Sequence, residues 1–430
     1  MSATLEQAPV PEEIVEHRQV TVVSRKTPIV LTVVTALLAL LLVASPREGD
    51  ATFRLASSGD LVALPNLVVP GTATGWVTTV VMALLAAVAW AFVARTRKVA
   101  GWVPALFAVV FLVGFLAWAA AGSASDVPAT RVVGGAVLLA VPIVFGALGG
   151  VIGERAGVVN IAIEGQLLAG AFCAAVAASV TGSPWAGLLA AVVAGVLVAA
   201  VLGVFTITYK VNQVIVGVVL NVLVIGVTSF LYTQVLVPNP DLNSTTRFST
   251  VAIPLLSDVP VLGPALFRQS VIVYLMYLAV PGVWYALYRT RWGLRLRAVG
   301  EHPKAADTVG VRVERTRYAA VLIAGAIAGV GGAFYTVVSV SSFGKEMTAG
   351  AGFIALAAVI FGKWDPVKAA LAALLFGFAS NLEGALSIVG APVPSQFMLM
   401  LPYVVTLLAV AGLVGRSRGP AASGTPYVKE

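Results

Sequence analysis

Arg289–Arg317, RTRWGLRLRAVGEHPKAADTVGVRVERTR, holds eight of the chain's 27 lysines and arginines and is flanked on both sides by long apolar segments. Cytoplasmic loops of membrane proteins carry the excess of basic residues, so this stretch is expected in the cytoplasm and orients every other segment. Within it Pro303 suits the first position of a short helix, Ala305 and Ala306 continue that helix, and Gly300 and Gly310 bracket it as breakers. The expected shape is a short surface helix slung between two membrane spans. Such a loop either only sets topology through its charge or docks a soluble partner.

Of the 430 residues, 59% are hydrophobic and 11% charged. Several apolar runs reach the roughly 20 residues that a helix needs to cross a bilayer. The fold class expected is therefore an all-α, polytopic membrane bundle of about 11 spanning helices plus a short half-helix. Spans are placed at 28–45, 76–94, 101–122, 131–150, 159–180, 185–207, 212–236, 270–288, 318–340, 366–388 and 396–414. The apolar piece 350–362 is too short to span, so 341–362 is expected to return the chain inward as an irregular stretch plus a half-helix. With that path 21 basic residues fall inside and 6 outside, both termini are cytoplasmic, and the chain is multi-pass in the cell membrane.

Residues 1–27 read as a disordered cytoplasmic tail, 28–130 as three additional membrane helices, 131–415 as one unit, and 416–430 as a cytoplasmic C-terminal tail. Residues 46–75 read as an outside loop, and 238–269 as an ordered external cap or a long connection. The net charge of +8 is explained by basic residues gathered in loops on one side rather than by nucleic acid, which is not an expected partner. The single cysteine, Cys173, excludes an intramolecular disulfide framework.

Polar residues inside apolar runs mark the expected solute pathway, because such groups are costly in lipid and face a cavity or a partner. The segment GERAGVVNIAIEGQ, Gly153 to Gln166, is the densest of these. Glu154 and Arg155 are expected to balance charge near the inner surface. Asn160 and Glu164 are four apart and share a face if helical, serving either as substrate contacts or as helix–helix hydrogen bonds. Gly157 and Gly165 permit a broken helix there. Gln213, Gly217 and Asn221 form a second stripe with a four-residue repeat, which faces the pore or a neighbouring helix. Gln166, Phe343, Phe353 and Asn381 complete the pathway candidates. Lys363 and Asp365 are expected to anchor and cap, with Pro366 opening the next helix.

Four stretches carry a resemblance. RAVGEHPKAA with the following Gly310-Val311 resembles the cytoplasmic loop of permease subunits of ABC importers of the branched-chain amino acid and ribose type. GERAGVVNIAIEGQ and the run from Asn212 to Asn221 resemble the nucleoside and simple-sugar branch of that family. Gly350 to Pro366 resembles its translocation-core half-helix. All four fall in order between 131 and 415. The resemblance implies that Arg297, Gly300, Glu301, Pro303, Ala305, Ala306 and Gly310 form the loop coupled to an ATPase. His302 stands where Asn is usual, which should alter capping more than docking.

The resemblance further implies a transport subunit with a cytoplasmic ABC ATPase, a second permease in a heterodimer and an extracytoplasmic solute-binding protein as partners, in a lipid bilayer. It favours a purine nucleoside as solute, with a simple sugar as competitor. No Gly-x-x-x-x-Gly-Lys-Ser/Thr pattern occurs in the chain, so no cofactor is expected on it and ATP is assigned to the partner ATPase. The only histidines are His17 and His302, which cannot assemble a zinc pair or a catalytic triad within the membrane, and no enzyme chemistry or metal site is expected. The rival class, an ion-coupled secondary transporter, requires carboxylates at the membrane midplane, and Glu164 is the one deep candidate.

Overall fold

The computed structural model of the chain describes residues 24–56, 64–390, Met400 and 419–429. The expected span 396–414 apart from Met400, residues 1–23 of the N-terminal tail with His17, and residues 416–418 and 430 of the C-terminal tail lie outside the described residues. Among the described residues ten helices are long and apolar enough to cross a membrane. The chain is a polytopic all-α membrane bundle.

Two compact units divide the chain. One comprises residues up to Pro46 and Gly75–Phe115. It contains α1 (Lys26–Ala44) and most of α2 (Gly71–Ala94) and α3 (Trp102–Ala120). Its helices are joined by small-residue contacts, Gly75 against Leu42 and Gly114 against Thr78, and by a hydrogen bond of 3.1 Å from Trp90 Nε1 to Thr32 Oγ1.

The other unit holds Arg47–Thr74 and everything from Leu116 onward. Residues 46–75, expected as an outside loop, carry β1 (Asp50–Arg54) and β2 (Leu67–Pro70), which pair antiparallel, while β3 (Val127–Pro128) adds to β1 in parallel. Strand pairing satisfies backbone groups that a loose loop would leave to water.

The core is organised around α4 (Ala129–Arg155), in which every residue from Ala140 to Glu154 is buried. A helix apolar all round can be buried all round. It packs against α12 (Val313–Phe334), α13 (Ala351–Phe361) and α14 (Pro366–Ile388), and α12 packs in turn on α5 (Ile163–Thr181) and α6 (Pro184–Gly203). Glycines permit the close approach. The Cα of Gly329 on α12 meets Gly170 of α5, and Gly149 of α4 meets the backbone of Ala324. The glycine pairs Gly149-Gly150 of α4 and Gly331-Gly332 of α12 serve this close packing in lipid.

Among the described residues three spans end in a π-helical turn, at Val204–Thr208 after α6, Tyr232–Leu236 after α7 (Gln213–Leu231) and Tyr335–Val340 after α12. The stretch 238–269 is ordered: a 3-10 turn at Pro240–Asn243, β4 (Thr250–Ala252), α8 (Leu262–Phe267) and the start of β5 (Arg268–Ser270), which pairs with β4. α9 (Val271–Arg289) leads into α10 (Arg291–Glu301) and α11 (Pro303–Thr308), the two short helices of the basic stretch.

α13 does not start at an end of the bundle. Ala355 lies where a Cβ on Gly146 would touch it, and Val359 does the same at Gly150, so α13 runs parallel to α4 and begins level with its middle. Ser341–Gly350 brings the chain to that depth without regular helix, and the half-helix completes the crossing to the end that holds Arg155.

Candidate functional site

The fifth expected span starts later than its apolar run suggests. Residues 156–162 are non-helical, and α5 begins at Ile163, whose side chain packs beside Gly146 and Gly150. At 1.5 Å per residue this lies on the order of 10 Å inside the end of α4. Two helix N-termini, those of α5 and α13, therefore meet deep in the bundle. Asn160 precedes α5, so the shared helical face with Glu164 is not formed. Gly157, at φ 86°, makes the reversal after α4, a conformation that L side chains rarely adopt.

Non-helical backbone at membrane depth must find partners within the protein. The stripe on α7 supplies them. Gln213 Oε1 accepts from Val159 N at 2.6 Å and Gln213 Nε2 donates to the Gly157 carbonyl at 3.5 Å. One α-helical turn further Gly217 lets α7 approach Ile161, and Asn221 Oδ1 accepts from Gly165 N at 2.8 Å while its Nδ2 donates to the Ile161 carbonyl, also at 2.8 Å. The buried side of α7 thus carries the polar groups, and its exposed side carries Val214, Val218, Val222 and Phe230. This inversion of the usual amphipathic order is what lipid on one side requires. Asn212 caps the helix by accepting from Val214 N and Ile215 N.

Asn160 and Gln166 pair through their amides, Asn160 Nδ2 to Gln166 Oε1 at 3.0 Å and Gln166 Nε2 to Asn160 Oδ1 at 3.3 Å, and both side chains are fully buried. Glu164 is buried in the first turn of α5 and clasps the start of α13. Its Oε1 accepts from Thr348 Oγ1 at 2.6 Å and Gly350 N at 2.9 Å, and its Oε2 accepts from Gly352 N at 2.6 Å. A carboxylate near two helix N-termini offsets both positive dipole ends. Gly352 leaves the room, since a Cβ there would collide with Glu164 itself.

The remaining pathway candidates separate. Phe343 is buried; its N–H and C=O are bracketed by the amide of Asn243, and its ring meets Phe172 edge-on at 5.1 Å. Asn381 Nδ2 on α14 donates to the Val132 carbonyl of α4 at 2.7 Å. Phe353 on α13 is half exposed, at 50%. It is the one candidate side chain of the nine with a large open surface.

The basic stretch forms the short helix with Pro303 first and Gly310 beyond its end at φ 84°. Gly300 is not a breaker: it lies inside α10, and the break falls at His302, which caps α11 with no side-chain hydrogen bond. Gly300 is required for close approach, because a Cβ on it would collide with the Arg155 carbonyl at the end of α4. The same α4 terminus holds the α13–α14 turn. Arg155 Nε donates to the Trp364 carbonyl at 2.9 Å, its NH2 donates to Tyr288 Oη at 3.3 Å, and Trp364 Nε1 donates to Glu154. Glu154 and Arg155 each hold Trp364, rather than simply balancing one another. Asp365 caps α14 as expected, accepting from Lys368 N at 3.0 Å.

Two features escaped the sequence reading. Arg317, one turn into α12, is buried and donates from NH1 to the Thr425 carbonyl at 3.0 Å. The C-terminal segment 419–429 folds back over the basic stretch, with Ala422 N donating to the Gly300 carbonyl at 2.9 Å, Ala421 N to Glu301 Oε2 at 3.2 Å, and Tyr427 buried with Val299, Ala306 and Val313. Arg317 stands in a basic run where seven neighbours of like charge hide it; only its helical phase, shared with buried Val313, Ala320 and Val321, singles it out.

Arg297, Glu301, Pro303, Ala305 and Ala306 all lie on this α10–α11 platform. Ala305 is exposed and Ala306 is buried beneath it. The platform, the α4 terminus and the α13–α14 turn form one connected structure that leads to the mid-depth meeting of helix ends.

Residues 131–410 match the family described as branched-chain amino acid transport system, permease component. The guanosine ABC transporter permease NupQ of Bacillus subtilis is 40% identical over 319 residues, covering 70% of this chain and 96% of NupQ. The nucleoside ABC transporter permease NupC of Lactococcus lactis is 37% identical over 311 residues, 69% of this chain and 96% of NupC. A Haloferax volcanii permease provisionally named for glucose ABC transport is 40% identical over 243 residues, 55% of this chain and 71% of its own length. With its ten apolar helices, its deep half-helix and a family match over most of its length, this chain is a multi-pass membrane protein that belongs to the permease-component family of branched-chain amino acid transport systems.

Proposed function

We propose that the chain is the membrane-spanning subunit of an ABC importer that moves nucleosides, purine nucleosides first, across the cell membrane, with a simple sugar as the alternative solute. The observation that carries this reading is the 40% identity to a guanosine permease across 96% of that relative's length. Energy comes from ATP on a cytoplasmic ABC ATPase that docks on α11, and the chain itself is a transport subunit without catalysis. A second permease, in a heterodimer, and an extracytoplasmic solute-binding protein complete the complex.

The geometry supports a route for force. Closure of an ATPase dimer moves α10–α11, Gly300 transmits the motion to the end of α4, and Trp364 passes it to the half-helix α13. The polar candidates Asn160, Glu164, Gln166, Gln213 and Asn221 hold the irregular backbone at mid-depth, and Gly217 lets α7 close over it. Exposed Phe353 offers its ring to the solute, since an aromatic face stacks on a base with little regard to its identity. Alternating access follows when the two packings of α13 are unequally favoured by nucleotide.

The test is uptake of labelled purine nucleoside into proteoliposomes that contain the chain, its second permease and the ATPase, with the binding protein supplied outside. Uptake is expected to require internal ATP and to survive a protonophore. Uptake abolished by the protonophore and indifferent to ATP would transfer the chain to the ion-coupled class. Phe353→Ala is expected to raise KM for the nucleoside by about 5- to 100-fold, because base–aromatic stacking contributes on the order of 1–3 kcal/mol.

A further inference from the structure

Between α10 and the first turns of α12 lies a cleft of about 640 Å³. Trp292, Val311 and Ala319 form its apolar side, Arg295, Arg312 and Arg315 supply its charge, and Val309 and Gly310, just past α11 and beside the proposed ATPase-docking helix, complete its rim. No carboxylate is among its lining residues, and among the described residues none of these three guanidiniums has an ion-pair or side-chain hydrogen-bond partner. Glu314 and Asp307 line the adjoining cleft, which Arg312 and Arg315 also border, and there Asp307 lies 4.0 Å from Lys429. Three cations that share a cleft with no carboxylate in its lining repel one another, and Glu314 in the first turn of α12 borders the adjoining cleft instead.

The position of the cleft selects the kind of anion. α12 is a membrane span that begins at Val313, so Thr316 and Ala319 on the cleft wall occupy its first two turns. That is headgroup depth, where tryptophan is also favoured, and Trp292 lines the same cleft. An arginine fork matches phosphate oxygens in a bidentate manner, and the apolar wall along α12 continues toward the acyl chains. We infer that this cleft binds the headgroup phosphate of an anionic phospholipid in the leaflet beside the α10–α11 platform. The inference rests on α12 being a membrane span and is independent of the solute.

The experiment uses the full-length chain in non-ionic detergent, with bound lipid per chain counted by native mass spectrometry during titration with phosphatidylglycerol or phosphatidylcholine. Each arginine beside a phosphate surface contributes a factor of about 5, so the double variant R295Q/R315Q is expected to bind phosphatidylglycerol about 30-fold more weakly. R295K, which keeps the charge and loses the fork, is expected to fall between the two. Phosphatidylcholine binding is expected to be weak and equal in all variants. Equal phosphatidylglycerol binding by the parent chain and the double variant would overturn the inference. So would displacement of the lipid by an equal concentration of inorganic phosphate, which would assign a free-anion site. Loss of the lipid on adding the purified ATPase subunit would assign the arginines to that partner, with the same consequence.

Discussion

Glu164→Gln tests whether the carboxylate joins the two deep helix N-termini. The substitution preserves size but replaces one acceptor oxygen with a donor. Oε1 serves Thr348 Oγ1 and Gly350 N, and Oε2 serves Gly352 N. Whichever way the amide turns, one buried backbone N–H faces another donor, because only the Thr348 hydroxyl can rotate to accept. An unsatisfied buried donor costs about 1–3 kcal/mol. The lost negative charge beside the helix ends adds about 0.3–2 kcal/mol. The expected destabilisation is therefore about 1–5 kcal/mol. Glu164→Ala, which leaves all three donors without this partner, costs more. The assay is unfolding of the purified full chain by SDS titration in mixed micelles, followed by tryptophan fluorescence. A cycle with Thr348→Val isolates the hydroxyl bond, which should appear as non-additivity. A Glu164→Gln effect within about 0.5 kcal/mol, the range of a surface substitution, would refute the reasoning. So would equal effects of the Gln and Ala variants.

Gly300→Leu drives a side chain into the Arg155 carbonyl, and Ala306→Leu overfills the cluster around Val299, Val313 and Tyr427; both are expected to leave the chain inserted while uptake falls at least about tenfold relative to ATP hydrolysis, measured side by side in proteoliposomes. Normal uptake by both would remove the α10–α11 platform from the coupling route. Asn221→Ala orphans Gly165 N and the Ile161 carbonyl and is expected to cost about 2–4 kcal/mol in the same SDS titration, whereas Val222→Ala on the exposed side of α7 is expected to be nearly neutral. Tyr427→Ala empties an aromatic site at the end of the chain; the expected loss is about 2–4 kcal/mol, confined to the C-terminal segment and read as faster proteolysis after Gly419 with the spans intact.

What was legible followed from chemistry that repeats along the chain. Apolar runs near 20 residues placed the spans, and the shortness of 350–362 against a bilayer required a half-helix preceded by irregular chain, as found for Ser341–Gly350 and α13. Pro303 marked the start of α11 because its fixed φ and missing N–H suit that position. The polar residues stand out in the apolar runs, but their partners are not legible there. Asn221 and Gln213 face the 157–165 connection across a separation of 54 to 60 residues, and nothing local states which backbone groups will be left open there. Gly300 misled for a similar reason. A glycine that breaks a helix and a glycine that admits another backbone are identical in sequence, and only the position of Arg155 decides between them. Arg317 and Tyr427 were hidden because burial depends on a C-terminal segment that returns over the platform from more than 100 residues away.

Nucleoside import by this chain is measured most directly as uptake of labelled purine nucleoside by cells lacking this gene, beside labelled ribose and galactose and with the gene restored as control. Loss of nucleoside uptake alone, recovered on restoration, is the predicted result. Unchanged nucleoside uptake with a defect in ribose or galactose would contradict the nucleoside assignment.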